Sequence, residues 1–177
     1  VKRYLNGNYG GLNDVNPYAA SSLFAVDRCA SFLSEQWGRA YQNGGFVLAA
    51  RYTTPNAVHQ ASRLEGEARL EYFKWLEDFE YGHLGLPKPD AVFYLALPAE
   101  LAVEHIARRA ARLHTSKDIH ERNTGYLQKC AETAEQAAEY FSWQKIAVTE
   151  NGRMLPASQI TDLLYAKILL VIGEVKA

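Results

Sequence analysis

The chain has 177 residues, 48% hydrophobic and 22% charged, a length and apolar content that suit one folded domain with a continuous core. Nineteen Lys and Arg against twenty Asp and Glu leave a formal net charge of −1, which excludes a general nucleic-acid or membrane-surface binder resting on bulk positive charge. Twelve Gly and six Pro, scattered along the chain, exclude a fibrous or disordered protein.

In chain order, Asn16-Pro17 reads as a helix cap with proline at the first helical position, opening a helix to about Gln36. Residues 45–50, an apolar run entered through Asn43-Gly44-Gly45, read as a strand. A second helix is predicted from about Glu65 to Leu84, with Leu70, Phe73, Leu76 and Phe79 as its buried stripe and Gly85 as its stop. Residues 91–97 follow the punctuation Pro87-Lys88-Pro89-Asp90 and form a strand apolar on both faces. Pro98 opens a third helix to about Arg112, and a fourth runs from about Asp118 to Phe141. A third strand over 144–149 ends in the turn Glu150-Asn151-Gly152, before a last helix from about Pro156 to Val171. The alternation predicts a single α/β domain with a mainly parallel, buried sheet, whose ligands bind beyond the carboxyl ends of the strands.

Cys29 and Cys130 lie far apart, with no CxxC, and read as buried free thiols suited to a reducing compartment. The apolar run 168–173 is far short of the roughly 20 residues that span a bilayer. No basic segment precedes an apolar one as in a signal peptide, so the expected location is the cytoplasm. The chain begins with Val1 and Lys2-Arg3-Tyr4-Leu5 in the manner of the middle of an element, so a fragment of a longer protein is expected.

Three clusters carry possible chemistry. Directly after the first predicted strand, Arg51, Asn56, His59 and Gln60 fall within one strand-to-helix connection. A guanidinium can fork a phosphate there and amides can pair with base edges, or the segment is an ordinary polar loop capped by Thr53 or Thr54. Asp27 and Arg28 interrupt the apolar face of the first helix one turn after Phe24, either as ligand groups or as a solvated ion pair beside a core aromatic. Arg108, Arg109 and Arg112, followed by Lys117 and Asp118-Ile119-His120-Glu121, are either helix-end charges that complement the dipoles or a lid of about 108–121 closing over phosphates.

Asn16-Pro17-Tyr18-Ala19-Ala20, Phe24 with Asp27-Arg28, Arg51-Tyr52 with Asn56 and Gln60, Leu84-Gly85-Leu86-Pro87-Lys88-Pro89-Asp90, and Asp118-Ile119-His120-Glu121 occur in an order and spacing that resemble the thymidylate kinases. The resemblance covers nearly the whole chain. It implies a P-loop kinase fold of the nucleoside monophosphate kinase type, three layers around a parallel sheet, and transfer of the γ-phosphoryl of Mg-ATP to dTMP to give dTDP. ATP and Mg2+ are thus the implied cofactors, dTMP and ATP the partners, and a homodimer packed through helices the implied assembly. By position, Phe24 corresponds to the residue that stacks on thymine, and Arg28 to the one that reads the base near the phosphate side. Arg51 corresponds to the acceptor-phosphate ligand, and Asn56 lines the base and sugar pocket with Gln60 beside it. Asp27 and Tyr52 fall within the same binding motifs. His59 stands where many members have Tyr near the deoxyribose. Arg108, Arg109 and Arg112 resemble the lid cations, and Asp118 and Glu121 the acidic pair that closes the lid.

Two features depart from the family. The given sequence contains no GxxxxGK[ST] phosphate loop or the strand before it, so this polypeptide by itself is expected to be inactive. Ala50 stands where the family usually has Asp before the Arg. The alternatives are therefore a non-catalytic nucleotide-binding or partner-binding relative, or a related nucleotide kinase with another acceptor.

Overall fold

The side chain of Asn16 accepts the Tyr18 backbone N–H at 2.8 Å, and Pro17 follows at the first helical position. This cap starts α2 (Pro17–Ser34) after a single-turn α1 (Lys2–Leu5). The computed structural model describes residues 1–11, 14–113 and 124–175. Two compact units emerge, one of residues 1–88 and 117–133, the other of residues 89–116 and 134–177.

In the first unit the helix predicted to reach Gln36 is broken at Glu35, whose extended backbone separates α2 from α3 (Gln36–Gln42). A π-helical turn Asn56–Gln60, a 3-10 turn Ala61–Arg63 and α4 (Gly66–Glu77) follow, and α4 continues as a wider π-helical turn, Asp78–His83. Gly85 then stops the run with φ +64, a conformation that glycine adopts without steric cost. The predicted stripe needs one correction: Leu70 is exposed, while Tyr72, Phe73 and Leu76 are buried. The Tyr72 hydroxyl, bonded to Ser21 Oγ, fixes which face turns inward, and the wider turn brings Glu80 round to the same face.

The predicted strand over 45–50 does not form. No described strand pairs with it, and Phe46 and Leu48 stand 64% and 69% exposed. An apolar run becomes a strand only when a neighbouring strand takes up its backbone groups in a ladder, and here the Gly45 N–H turns back to the Ala40 carbonyl at 2.8 Å instead.

In the second unit β1 (Phe93–Ala96) runs parallel to β2 (Gln144–Ala147), with Phe93 opposite Gln144 and Leu95 opposite Ile146. The parallel pairing is as predicted, but burial on both faces is not: Ile146 is the buried residue of β2, and Leu95 of β1 is exposed. Two described strands leave open edges and faces that a wider covered sheet would close. Ile146, Val148 and Ile160 form the core of this unit, with Phe93, Leu97, Leu155 and Leu164 against them. Asn151 and Gly152, both at positive φ, turn the chain between β3 (Thr149–Glu150) and β4 (Arg153–Met154). Helix α5 (Ala99–Leu113) follows β1, α6 (Thr124–Tyr140), whose residues 124–133 belong to the first unit, precedes β2, and α7 (Ala157–Val175) ends the described chain. Among the described residues no helix is long and apolar enough to cross a membrane.

Candidate functional site

Arg28 projects from α2, and its side chain is only 13% exposed. Nη1 donates to Glu80 Oε2 at 2.5 Å, and Glu80 is fully buried. Nε and Nη2 both donate to the Tyr52 carbonyl, at 2.9 and 2.5 Å. The guanidinium also lies 5.5 Å from the centroid of the Tyr52 ring. One planar fork thus joins three separate parts of the chain, a task that the single point charge of lysine cannot match.

The other oxygen of Glu80 receives Asn56 Nδ2 at 3.1 Å, and the same amide nitrogen lies 3.3 Å from the Ser21 carbonyl. Asn56 begins the π-helical turn and is buried, and its backbone carbonyl accepts the Tyr72 hydroxyl at 3.3 Å. Burial pushes the Glu80 carboxyl above its ordinary range, while Arg28 and the Asn56 amide pull it back toward ionisation.

Tyr52 is held at its other end, where its hydroxyl donates to the Pro87 carbonyl at 3.1 Å, so Leu86-Pro87-Lys88 serves as a wall of this unit. Burial raises the Tyr52 phenol well above its ordinary range, so it stays a neutral donor. Thr53 and Tyr81 join hydroxyls at 2.7 Å beside it. Just before this braced carbonyl sits Arg51, exposed and at φ +61. Left-handed backbone in a non-glycine residue is disfavoured and persists only where neighbours over-determine it.

His59 is half-buried and its ring stacks on Tyr126 of α6, 6.2 Å between centroids and 23° between planes. Its Nδ1 lies 3.4 Å from the Tyr126 hydroxyl and 3.5 Å from Cys130 Sγ. Burial pushes the Cys130 thiol up, which keeps it protonated and chemically quiet. Gln60 is buried, and its Oε1 meets no hydrogen-bond donor among the described residues.

The structure therefore brings Arg28, Tyr52 and Asn56 into one bonded cluster. Phe24 is half-buried one turn before Arg28, its ring edge-on to Tyr4 at 5.8 Å, and Asp27 is exposed. Arg28 is paired with Glu80 rather than with its neighbour Asp27, so the solvated-pair reading of those two residues does not hold. Arg108 on α5 bridges to Glu104 one turn back at 2.6 Å. Arg109 and Arg112 share that helix, while Asp118 and Glu121 lie outside the described residues. Sequence reasoning missed Glu80, Tyr72 and Tyr81. The available signal was a carboxylate at 80 continuing the apolar spacing 73, 76, opposite an equally misplaced arginine on α2.

The thymidylate kinase family profile matches residues 3–155. The chain belongs to the thymidylate kinase family. Its fold is accordingly of the P-loop nucleoside monophosphate kinase class, seen here as mixed helix and strand with a parallel strand pair. Two curated relatives, each named thymidylate kinase, come from Mycobacterium tuberculosis strains CDC 1551 / Oshkosh and ATCC 25618 / H37Rv. Each is 37% identical over 138 residues, covering 76% of this chain and 63% of the relative. The chain thus spans 63% of the length of the curated relatives it matches.

Proposed function

We propose that this chain forms the acceptor-nucleotide part of a kinase that transfers a phosphoryl group from ATP to dTMP, giving dTDP. The observation that carries the reading is the braced Tyr52 carbonyl, held by the Arg28 fork directly after the exposed, left-handed Arg51. A guanidinium on a rigidly held backbone suits bidentate capture of a phosphate monoester, and neutralising that charge favours phosphoryl transfer. Phe24 supplies an aromatic face for the base, Arg28 and Asn56 form the polar wall, and Asp27, His59 and Gln60 flank the pocket. In the same reading Arg108, Arg109 and Arg112, with Asp118 and Glu121, serve the lid over the phosphates.

The family resemblance implies ATP with Mg2+ as donor. Among the described residues no three carboxylate, His or Cys groups gather to hold a metal ion, and Ala50 offers no carboxylate beside Arg51. The described residues by themselves do not build a magnesium site. Ala50 also favours a second reading, a relative that binds the nucleotide without turning it over.

A cytoplasmic location and a homodimer accompany the proposal. Leu23, Val26 and Leu33 line one exposed face of α2 at helical spacing, an apolar patch of the sort that twofold dimers bury. Calorimetric titration with dTMP and an ATP-dependent assay for dTDP test the function together. Binding with turnover supports the kinase, binding without turnover by full-length protein supports the second reading, and no dTMP binding overturns both.

A further inference from the structure

Glu80 is a fully buried carboxylate that touches no solvent, yet its two oxygens serve different partners. Oε2 takes the Arg28 guanidinium at 2.5 Å, and Oε1 takes Asn56 Nδ2 at 3.1 Å. The second acceptor near that nitrogen, the Ser21 carbonyl at 3.3 Å, also demands a donor. An Asn side chain has one NH2 end and one oxygen end. Two acceptors on one side leave it a single satisfactory orientation, with NH2 toward Glu80 and Ser21 and with Oδ1 on the opposite side. Neither hydrogen bond of the Asn56 side chain uses Oδ1, and that atom is not among the buried unpaired ones. Oδ1 is therefore the end left for a ligand, and it can only accept.

We propose that Glu80 is a specificity-determining positioning residue: by orienting the Asn56 amide it makes the pocket accept a pyrimidine whose ring N3 carries a proton and refuse one whose N3 is a bare acceptor. The inference rests on the proposed placement of the base beside Asn56. Thymine presents N3–H to Oδ1, a donor meeting an acceptor. Cytosine presents an unprotonated N3, which sets two acceptors against each other in a partly desolvated site.

The substitution Glu80→Gln makes a directional test. Arg28 has only donors, so the new carboxamide must give its oxygen to Arg28 and turn its NH2 toward Asn56. Asn56 is then pressed to turn its oxygen inward and its NH2 outward, toward the ligand. Calorimetric titration of the full-length protein with dTMP and dCMP reads the result. The unmutated protein is expected to favour dTMP by about tenfold or more, one hydrogen bond's worth of discrimination. In Glu80→Gln that ratio is expected to fall by about tenfold or more, dTMP weakening while dCMP tightens. A merely structural role would weaken both nucleotides together. A folded Glu80→Gln protein that keeps the dTMP to dCMP ratio overturns the inference and leaves the proposed function standing. An unmutated protein that binds no dTMP overturns the proposed function and this inference with it. Should Glu80→Gln fail to fold, the unmutated protein still decides the matter by NMR. A through-hydrogen-bond coupling from Asn56 Nδ2 to the Glu80 carboxylate carbon is expected, and its absence overturns the inference.

Discussion

The guanidinium of Arg28 and the carboxylate of Glu80 meet at 2.5 Å across 52 positions of sequence, and Glu80 has no exposed surface. Removing one member of a buried pair leaves the other charge without compensation, which costs more than the pair itself contributes. Arg28→Ala is therefore expected to destabilise the protein by about 3–5 kcal/mol, read from a shift in denaturant midpoint. The same substitution frees the Tyr52 carbonyl, so a variant with unchanged stability would show that the fork braces nothing.

The pair also has a pH signature. Burial, partly offset by Arg28 and Asn56, raises the folded-state pKa of Glu80 above its value in the unfolded chain. The folded protein therefore holds this proton more tightly than the unfolded chain. Its contribution to stability is complete below the ordinary carboxylate range and is lost as pH rises through the raised value. Unfolding free energies of wild type and Glu80→Gln, compared across that window, should shift in favour of the glutamine variant as pH rises. A difference that stays flat with pH would mean the carboxylate titrates normally.

Arg51 separates binding from folding. At φ +61 and exposed, it occupies a backbone conformation that glycine adopts more readily. Arg51→Gly is expected to leave stability unchanged or raise it by up to about 1 kcal/mol. The same change should weaken dTMP binding by about 2–4 kcal/mol through loss of the guanidinium. Calorimetry and thermal unfolding on the same variant check both halves. Undiminished dTMP affinity would reduce the segment to a polar loop.

Ala50 is exposed and outside any strand, so a new carboxylate there suffers little burial. In kinase-active full-length protein, Ala50→Asp is expected to raise kcat and leave dTMP affinity nearly unchanged, with a stability change within about 0.5 kcal/mol. Steady-state kinetics across a range of magnesium concentrations check this. No gain in kcat at any of them would remove the position from the chemistry.

Gly38 is a packing test remote from the cluster. A Cβ built there would lie 1.9 Å from the Phe32 carbonyl oxygen, against backbone that cannot swing aside. Gly38→Ala is expected to cost about 1–3 kcal/mol by forcing α2 and α3 apart. An unchanged melting temperature would mean the junction yields freely.

Local signals were legible wherever the chemistry was local. Asn16-Pro17 announced α2 because the cap and the fixed proline φ act within one turn, and Asn151-Gly152 announced a turn that joins β3 to β4. Ordered short motifs pointed to the thymidylate kinase family, whose profile residues 3–155 match. Tertiary structure decided the rest, because periodicity reports which face is apolar and not what that face will meet. Residues 45–50 have the composition of a strand, yet a strand exists only where a neighbour supplies its hydrogen bonds. Arg28 and Glu80 each look like an exception on an apolar stripe when read alone. Packing α2 against the π-helical turn after α4 turned two isolated charges into one bonded pair, and that pair holds both the Tyr52 carbonyl and the Asn56 amide.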